Sequence, residues 1–249
     1  MNDWVFYSPE STPAIVYALR ELELRGVTVT HSPSSHVTHL LLGTPCRIPN
    51  EALKNILNEL PNSVHILGGN LRYPALSGFT CTDLLEDPVY LARNAMITAH
   101  CAIKLAAGAL PVIWESCPVL VIGWGRIGKC LCRQLQSNGA AVSVAARNPA
   151  DRAMAEALGY GSEDTKNLDY ILRRYRVIFN TVPSPILSAE QLSNCRTGCL
   201  KYELASQPGL VGEDIIDARG LPGKYAPESS GRLIARSILR LSAQKEAEV

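Results

Sequence analysis

The chain has 249 residues, 47% of them hydrophobic and 19% charged, with a net charge of +1; that suffices for one large or two small domains of ordinary soluble composition. A balance so near neutrality offers no electrostatic footprint for nucleic acid or an acidic membrane surface. The most apolar stretch, AIKLAAGALPVIW, carries Lys104 and Pro111 and is too short to span a bilayer, and MNDWVFYSPESTP lacks the basic start and apolar run of a signal peptide, so a cytoplasmic location is expected.

The N-terminal third alternates strand and helix signals. WVFY is a short β-type run, and TPAIVYALRELELRG reads as a helix with Thr12 as N-cap, Pro13 in the first turn and Gly26 at its end. VTVTH and HLLLG are further strands, IPNEALKNILNEL is an amphipathic helix, and SVHILGG is another strand. This alternation predicts a small flavodoxin-like α/β domain over residues 1–93, on the substrate side. NLRYPALSGFTCTDLLEDPVYLAR reads as irregular. His31, His36 and His39 suit a polar loop running into a strand rather than a helical metal face.

Residues 94–110 predict one long inter-domain helix opened by Asn94, with Ala95, Met96, Ala99, Ala102, Ile103, Ala106 and Leu110 on a broad apolar face. A second domain over 94–227 follows it. The final amphipathic helix, 228–245, is expected to complete the first domain, and the terminal KEAEV to fray. The eight cysteines are scattered, with no C-x-x-C and no zinc-type Cys/His spacing, so structural thiols and no metal site are expected.

PVLVIG is an apolar, β-branched run of the kind a strand buried on both faces requires. Gly123, Gly125 and Gly128 follow at G-x-G-x-x-G spacing. A helix with Ile127, Leu131 and Leu135 on one face closes at Gly139, and AAVSVAA is the next strand. This complete βαβ unit makes the glycine motif credible as a dinucleotide turn in a doubly wound, Rossmann-type parallel sheet. Gly123 allows the tight turn, Gly125 the approach of a pyrophosphate, and Gly128 close helix–strand packing, while the backbone of Trp124, Arg126 and Ile127 opens the helix toward phosphate.

An NAD-specific fold usually places a carboxylate at the end of the second strand. Here Ala146 holds that position, followed by Arg147, Asn148 and Pro149 at a helix start. A lost acid, a gained arginine and a helix N-terminus favour a 2′-phosphate, so NADP is the expected cofactor, with NAD the alternative. The bland alternative is that Arg147 and Arg152 are solvated surface charges. RRYRVIFNTVP and GCLKYELAS read as the next parallel strands and GLPGKYAP as a loop. Ligands bind beyond the carboxyl ends of such strands, which places Asn180, Thr181, Val182, Pro183 and Ser206 with the cofactor, and Gln207, Pro208 and Gly209 with the substrate.

The chain resembles the family of dipicolinate synthase A-subunits, a spore-associated branch of the NAD(P)-dependent dehydrogenases. The resemblance rests on NAMITAH at 94–100, GWGRIG at 123–128 leading to AARN, NTVPSPIL at 180–187, and ELASQPG at 203–209 followed by GLPGKYAPESSG at 220–231. It implies oxidation of a dihydrodipicolinate-type dicarboxylate to pyridine-2,6-dicarboxylate during spore formation, with NAD(P)⁺ as hydride acceptor and a flavoprotein-like B-subunit as partner. The chain departs from the family pattern at His100 and Cys101, where an acidic residue and a glycine are expected. It departs again at Glu203, Gln207 and Leu210, where DLASRPGG becomes ELASQPGL. These departures bear on substrate contacts and leave the cofactor reading intact.

Asn94 and Thr98 share one helical face and His100 and Lys104 another. Asn94 and Thr98 are candidates to orient a carboxylate, and His100 to act as base; a solvated stripe is the alternative for His100 and Lys104. Lys224 and Tyr225 are further carboxylate contacts. A shikimate-dehydrogenase-like reductase of another small carboxylate, or a non-catalytic NADP-binding subunit or sensor, are the competing functions. No Arg/Glu/His set suits 2-hydroxyacid chemistry, and a homo-oligomer is the default expectation.

Overall fold

The structure, a computed structural model, describes residues 3–247, with side chains described to residue 244. The chain divides into two compact units, Met1–Asn94 with Pro222–Val249, and Ala95–Leu221.

The first unit is built on five parallel strands, β1 (Val5–Tyr7), β2 (Thr28–Thr30), β3 (His39–Leu41), β4 (His65–Gly68) and β5 (Thr80–Asp83), in the order β2-β1-β3-β4-β5. That order is the flavodoxin-like one. Helix α1 (Pro13–Glu23) turns Ile15, Ala18 and Leu22 into the core, and α2 (Asn50–Asn58) turns in Leu53 and Leu57. Thr12 is the N-cap of α1, although its side chain makes no capping hydrogen bond; Pro13 alone pre-sets the first turn.

The segment read as irregular holds β5 and the start of α3 (Pro88–Ala109). This helix begins six residues before Asn94. The buried Asp87 carboxylate accepts from the N–H groups of Val89 and Tyr90, and Pro88 needs no donor there, so the cap lies at Asp87 and Asn94 falls inside the helix. The same carboxylate pairs with Arg240 of the last helix.

The second unit is a six-stranded parallel sheet: β6 (Pro118–Ile122), β7 (Ala141–Ala146), β8 (Gly161–Asp164), β9 (Val177–Asn180), β10 (Leu200–Glu203) and β11 (Ile215–Asp217). Helices α4 (Arg126–Ser137), α5 (Pro149–Ala157) and α6 (Ala189–Leu192) lie along its chain. The order β11-β10-β9-β6-β7-β8 is the doubly wound Rossmann arrangement, and the chain reverses direction of winding between β6 and β9. Val119, Leu120, Val121 and Ile122 are all fully buried, as a strand covered on both faces requires. The polar GSED of β8 and the three-residue β11 carry no period-2 apolar signal and are not legible as strands in the sequence.

GLPGKYAP, read as a loop, contains the short helix α7 (Leu221–Tyr225), and the last helix, α8, runs from Pro227 to Ala247. The first three residues of KEAEV are therefore helical; its last two lie outside the described residues. Within the first unit α8 packs tightly on α1, since a Cβ at Gly231 would lie 2.5 Å from the Ala14 carbonyl oxygen and 2.6 Å from Tyr17 Cβ. No helix of the described residues is long and apolar enough to cross a membrane. All eight cysteines are free thiols, and no cluster of three metal-ligating side chains occurs among the described residues.

Candidate functional site

Parallel registry brings four chain segments to one edge of the second sheet. Ile122 pairs with Ala145 and with Asn180, and Asn180 pairs with Glu203. The residues that follow these strands, Gly123–Gly128, Arg147–Asn148, Asn180–Pro183 and Ser206–Gly209, therefore emerge side by side at the reversal of strand order. That is where ligands of open parallel sheets bind.

The turn after β6 owes its shape to missing side chains. Gly123 has φ of +103°, and a Cβ there would collide with Thr181 Oγ1 and lie 2.9 Å from Val182 Cγ2. A Cβ at Gly128 would run into the Gly123 carbonyl oxygen. Gly125, the N-cap of α4, faces open space: nothing would lie within 4 Å of a Cβ there, and no side chain caps the helix. The first N–H groups of α4 thus lie at an opening that no side chain caps, the arrangement a pyrophosphate fits. Arg126 is exposed and Ile127 half-buried at this opening. The Trp124 ring is buried edge-on to Tyr160, with Lys129 Nζ 5.6 Å from its centre, so only its backbone borders the cradle.

Thr181 braces this turn from the neighbouring strand. Its N–H and Oγ1 donate to the Ile122 carbonyl oxygen at 2.9 and 2.8 Å, a reason for threonine after the buried Asn180. Val182 is half-buried beside it and Pro183 exposed.

At the end of β7, Arg147 is exposed and its side chain makes no hydrogen bond or ion pair among the described residues, whereas Asn148 caps α5 by accepting from Ala150 N–H at 2.9 Å. Arg152 behaves differently from a solvated charge. Its Nη1 donates to the carbonyls of Ala146 and Arg147 at 2.9 and 3.0 Å, and its Nη2 pairs with Asp164 at 3.1 Å. It fastens the end of β7 to β8 and leaves the Arg147 guanidinium without a partner among the described residues.

The loop after β10 has a feature that sequence reading missed. The Glu203 carboxylate, 3% exposed, forms no salt bridge among the described residues. It accepts from the N–H groups of Ala205 (3.0 Å), Gly209 (2.8 Å) and Leu210 (3.0 Å), and from Asn180 Nδ2 at 2.9 and 3.0 Å. A buried carboxylate is tolerable when several donors replace its water shell. Asn180, wholly buried, spans the gap to the neighbouring loop through Val182. Ser206, Gln207 and Pro208 form the exposed apex of the loop. Gly209 is buried, where a Cβ would lie 2.6 Å from Ser184 O and 2.8 Å from Val182 O, so it serves the loop's packing. The signal for this hub was a carboxylate at a strand end followed by ASQPG, a run whose N–H groups need an acceptor.

The remaining candidates are not gathered here. Thr98 is 7% exposed, while His100 stands exposed beside Lys104 with no hydrogen-bonding partner among the described residues. Two positions apart, they project about 200° from one another around α3 and cannot converge on one reacting atom from this helix. Asn94, half-buried, belongs to the first unit. So do Lys224 and Tyr225, where the ammonium lies 5.3 Å from the Tyr225 ring centre.

No family model matches the chain. Among curated proteins it is 31% identical over 173 residues to the dipicolinate synthase A-subunit of Bacillus subtilis, a match covering 66% of this chain and 58% of that protein. The chain thus matches somewhat over half the length of that relative. Among solved structures, the dipicolinate synthase A chain of Bacillus subtilis superposes with a TM-score of 0.80 at 21% identity, covering 100% of this chain and 99% of that one. The corresponding protein from Bacillus halodurans gives 0.79 at 22%, covering 96% and 98%. A transhydrogenase from Sinorhizobium meliloti gives 0.73 at 13%, covering 97% and 94%. The resemblance to the dipicolinate synthase A-subunit is borne out: the chain is a relative of that protein, and it has the Rossmann-type dehydrogenase fold of these structures.

Proposed function

We propose that the chain is an NADP-dependent oxidoreductase subunit of dipicolinate synthase type, oxidising a dihydrodipicolinate-type dicarboxylate to pyridine-2,6-dicarboxylate together with a flavoprotein-like B-subunit. The observation that carries this reading is the open backbone cradle at Gly125, set beside the unengaged Arg147, in a chain 31% identical to a dipicolinate synthase A-subunit. The residues fit a dinucleotide. The N–H groups at the start of α4 hold its pyrophosphate, Arg147 and the start of α5 hold a 2′-phosphate, and Thr181 to Pro183 with Ser206 border its nicotinamide end. When bound, the dinucleotide supplies the hydride acceptor.

The chain's own part is positioning. Thr181 and Gly123 fix the floor of the cradle, and the Glu203–Asn180 network fixes the loops that present Val182 and Ser206. Gln207 and Pro208, at the apex, are the substrate-side contacts of this edge. His100 is the proposed base and Thr98 an orienting hydroxyl, separate tasks in keeping with their projection from opposite sides of α3. A carboxylate-bearing substrate also needs a cation, for which Lys224 is proposed, with Tyr225 and Asn94 as neutral carboxylate contacts. Assembly as a homo-oligomer and a cytoplasmic location belong to the same reading.

A second reading, a dinucleotide-binding protein without turnover of its own, is favoured by the lack of any partner among the described residues that would orient His100. One assay separates the two: NADP⁺ reduction followed by absorbance, with the product of dihydrodipicolinate synthase, in the presence and absence of the B-subunit. The proposal expects substrate-dependent NADPH formation, abolished by Gly125→Asp. NADPH binding with no turnover under either condition contradicts it and supports the second reading.

A further inference from the structure

The second unit contains a cavity of about 450 Å³, a volume within the range of small-molecule sites. Pro118, Ala141 and Gly161, the first residues of β6, β7 and β8, all line it. It therefore lies at the opposite end of these parallel strands from the glycine turn, and no residue of that edge belongs to it. Two glycines keep it open. A Cβ at Gly161 would strike Ser143 Oγ, so a side chain there would cover that hydroxyl, and at Gly159 the backbone turns away at φ of +84°. Pro118, Ala140 and Tyr160 contribute apolar lining, and Ser143, Glu163, Arg174 and Tyr175 the polar groups.

Those polar groups are only partly engaged with one another. The hydroxyl of Tyr175, a residue 4% exposed, donates to Glu163 Oε1 at 3.1 Å. Arg174 Nη1 stands 3.8 Å from the same oxygen, an ion-pair distance too long for a hydrogen bond. Among the described residues Glu163 Oε2 accepts from no group, and the Arg174 guanidinium donates no hydrogen bond. The buried tyrosine thus fixes a half-buried carboxylate with one oxygen to spare, beside an exposed cation whose forked donors are still available. The two charges cancel. A simple anion would meet Glu163 and a simple cation Arg174, so the pair favours a ligand that is neutral overall and carries both signs.

We propose that this cavity binds a free aromatic α-amino acid as its zwitterion, with Glu163 Oε2 accepting from the ammonium, Arg174 donating to the carboxylate, and the ring against the apolar lining. An α-amino acid carries its two charges on one carbon, which matches a carboxylate and a guanidinium standing side by side. Charge-assisted contacts of this kind are the strong ones, and the guanidinium fork suits a carboxylate in particular. The Tyr160 ring, half-buried at the cavity, together with Pro118 and Ala140, offers the ligand's side chain an apolar surface. The assignment stands independently of the dinucleotide reading, because the two sites share no residue.

The test is calorimetric titration of the full-length chain with three probes: L-phenylalanine, 2-phenylethylamine, which lacks the carboxylate, and 3-phenylpropionate, which lacks the ammonium. L-Phenylalanine should bind with a dissociation constant below about 1 mM, and each single-charge analogue about tenfold or more weakly, the scale of one lost charge-assisted contact. Arg174→Gln, at an exposed position, should weaken L-phenylalanine about tenfold and leave 2-phenylethylamine unchanged. Glu163→Gln should weaken L-phenylalanine by a similar factor without weakening 3-phenylpropionate. No binding of L-phenylalanine below about 1 mM overturns the proposal. So does equal binding of all three probes, or L-phenylalanine binding that neither substitution changes. Because the comparison of probes uses the unaltered protein, a variant that fails to fold leaves the test decisive.

Discussion

At the carboxyl edge of the six-stranded sheet, the turn after β6 is shaped by what its residues lack, and the loop after β10 by a single carboxylate. In the first, Gly123 and Gly128 leave room for the Thr181 hydroxyl and for a helix start pressed against the strand. In the second, Glu203 gathers three backbone N–H groups and the Asn180 amide into a closed knot. The glycine turn leaves its donors free for an incoming anion. The Glu203 loop consumes its donors internally, so only its apex side chains can address a ligand. One presents open backbone donors at a helix start; the other is a scaffold for the loop's exposed apex.

The largest expected effect breaks the scaffold. Glu203→Ala strands three buried N–H groups and an amide, and at ~1–3 kcal/mol for each buried unsatisfied group it should destabilise the second unit by about 4 kcal/mol. Glu203→Gln keeps one acceptor and the volume and should cost about half as much. Denaturant unfolding of both variants measures this, and equal, small losses would show that the loop does not depend on the carboxylate.

Next comes the contrast among glycines. Gly128→Ala forces a methyl group into the Gly123 carbonyl and should cost about 3 kcal/mol through overpacking. Gly125→Ala meets open space and should cost less than about 1 kcal/mol, the difference between glycine and alanine at an N-cap. The same Gly125→Ala protein should bind dinucleotide more weakly, which thermal stability and a fluorescence titration together would show. Equal destabilisation by both changes would remove the claim that Gly125 is kept for a ligand.

A smaller effect separates the two units by pH. In the first unit His39 lies against the Phe6 ring, with its Nδ1 2.8 Å from Thr38 Oγ1; burial, then the nearby His65, lower it from 6.5 to about 4. A group lowered on folding stabilises the native state above its unfolded value and loses that contribution as pH falls. The first unit should therefore weaken between pH 6.5 and about 4. His39→Phe should flatten that slope, and unfolding curves at pH 7 and pH 4.5 would reveal it; an unchanged slope would mean that another group carries the acid sensitivity.

Legibility in the sequence followed the physics of each element. The strands and helices of both sheets that bury an apolar face announced themselves by periodicity, and the glycine turn by steric demands that only glycine meets. The start of α3 was hidden because its cap, Asp87, sits in a polar run that reads as loop, which moved the helix start to Asn94 and made His100 look closer to it than it is. β8 and β11 were hidden because their register is set by neighbouring strands and not by their own side chains. The Glu203 hub was hidden because backbone acceptance leaves no pairing residue in the sequence. Arg152 and Arg147, alike on paper, divide only once the carbonyls of β7 are in place.

The central claim is that the edge beyond β6 and β7 holds a dinucleotide by its 2′-phosphate as well as its pyrophosphate. Calorimetric titration of NADPH and NADH into the wild type and Arg147→Ala tests it most directly. The account predicts that NADPH binds the wild type more tightly, and that the substitution weakens NADPH by about tenfold or more, the scale of a lost charge-assisted contact, while leaving NADH unchanged. If Arg147→Ala weakens both cofactors equally, or neither, Arg147 does not read the phosphate and the assignment to NADP is wrong.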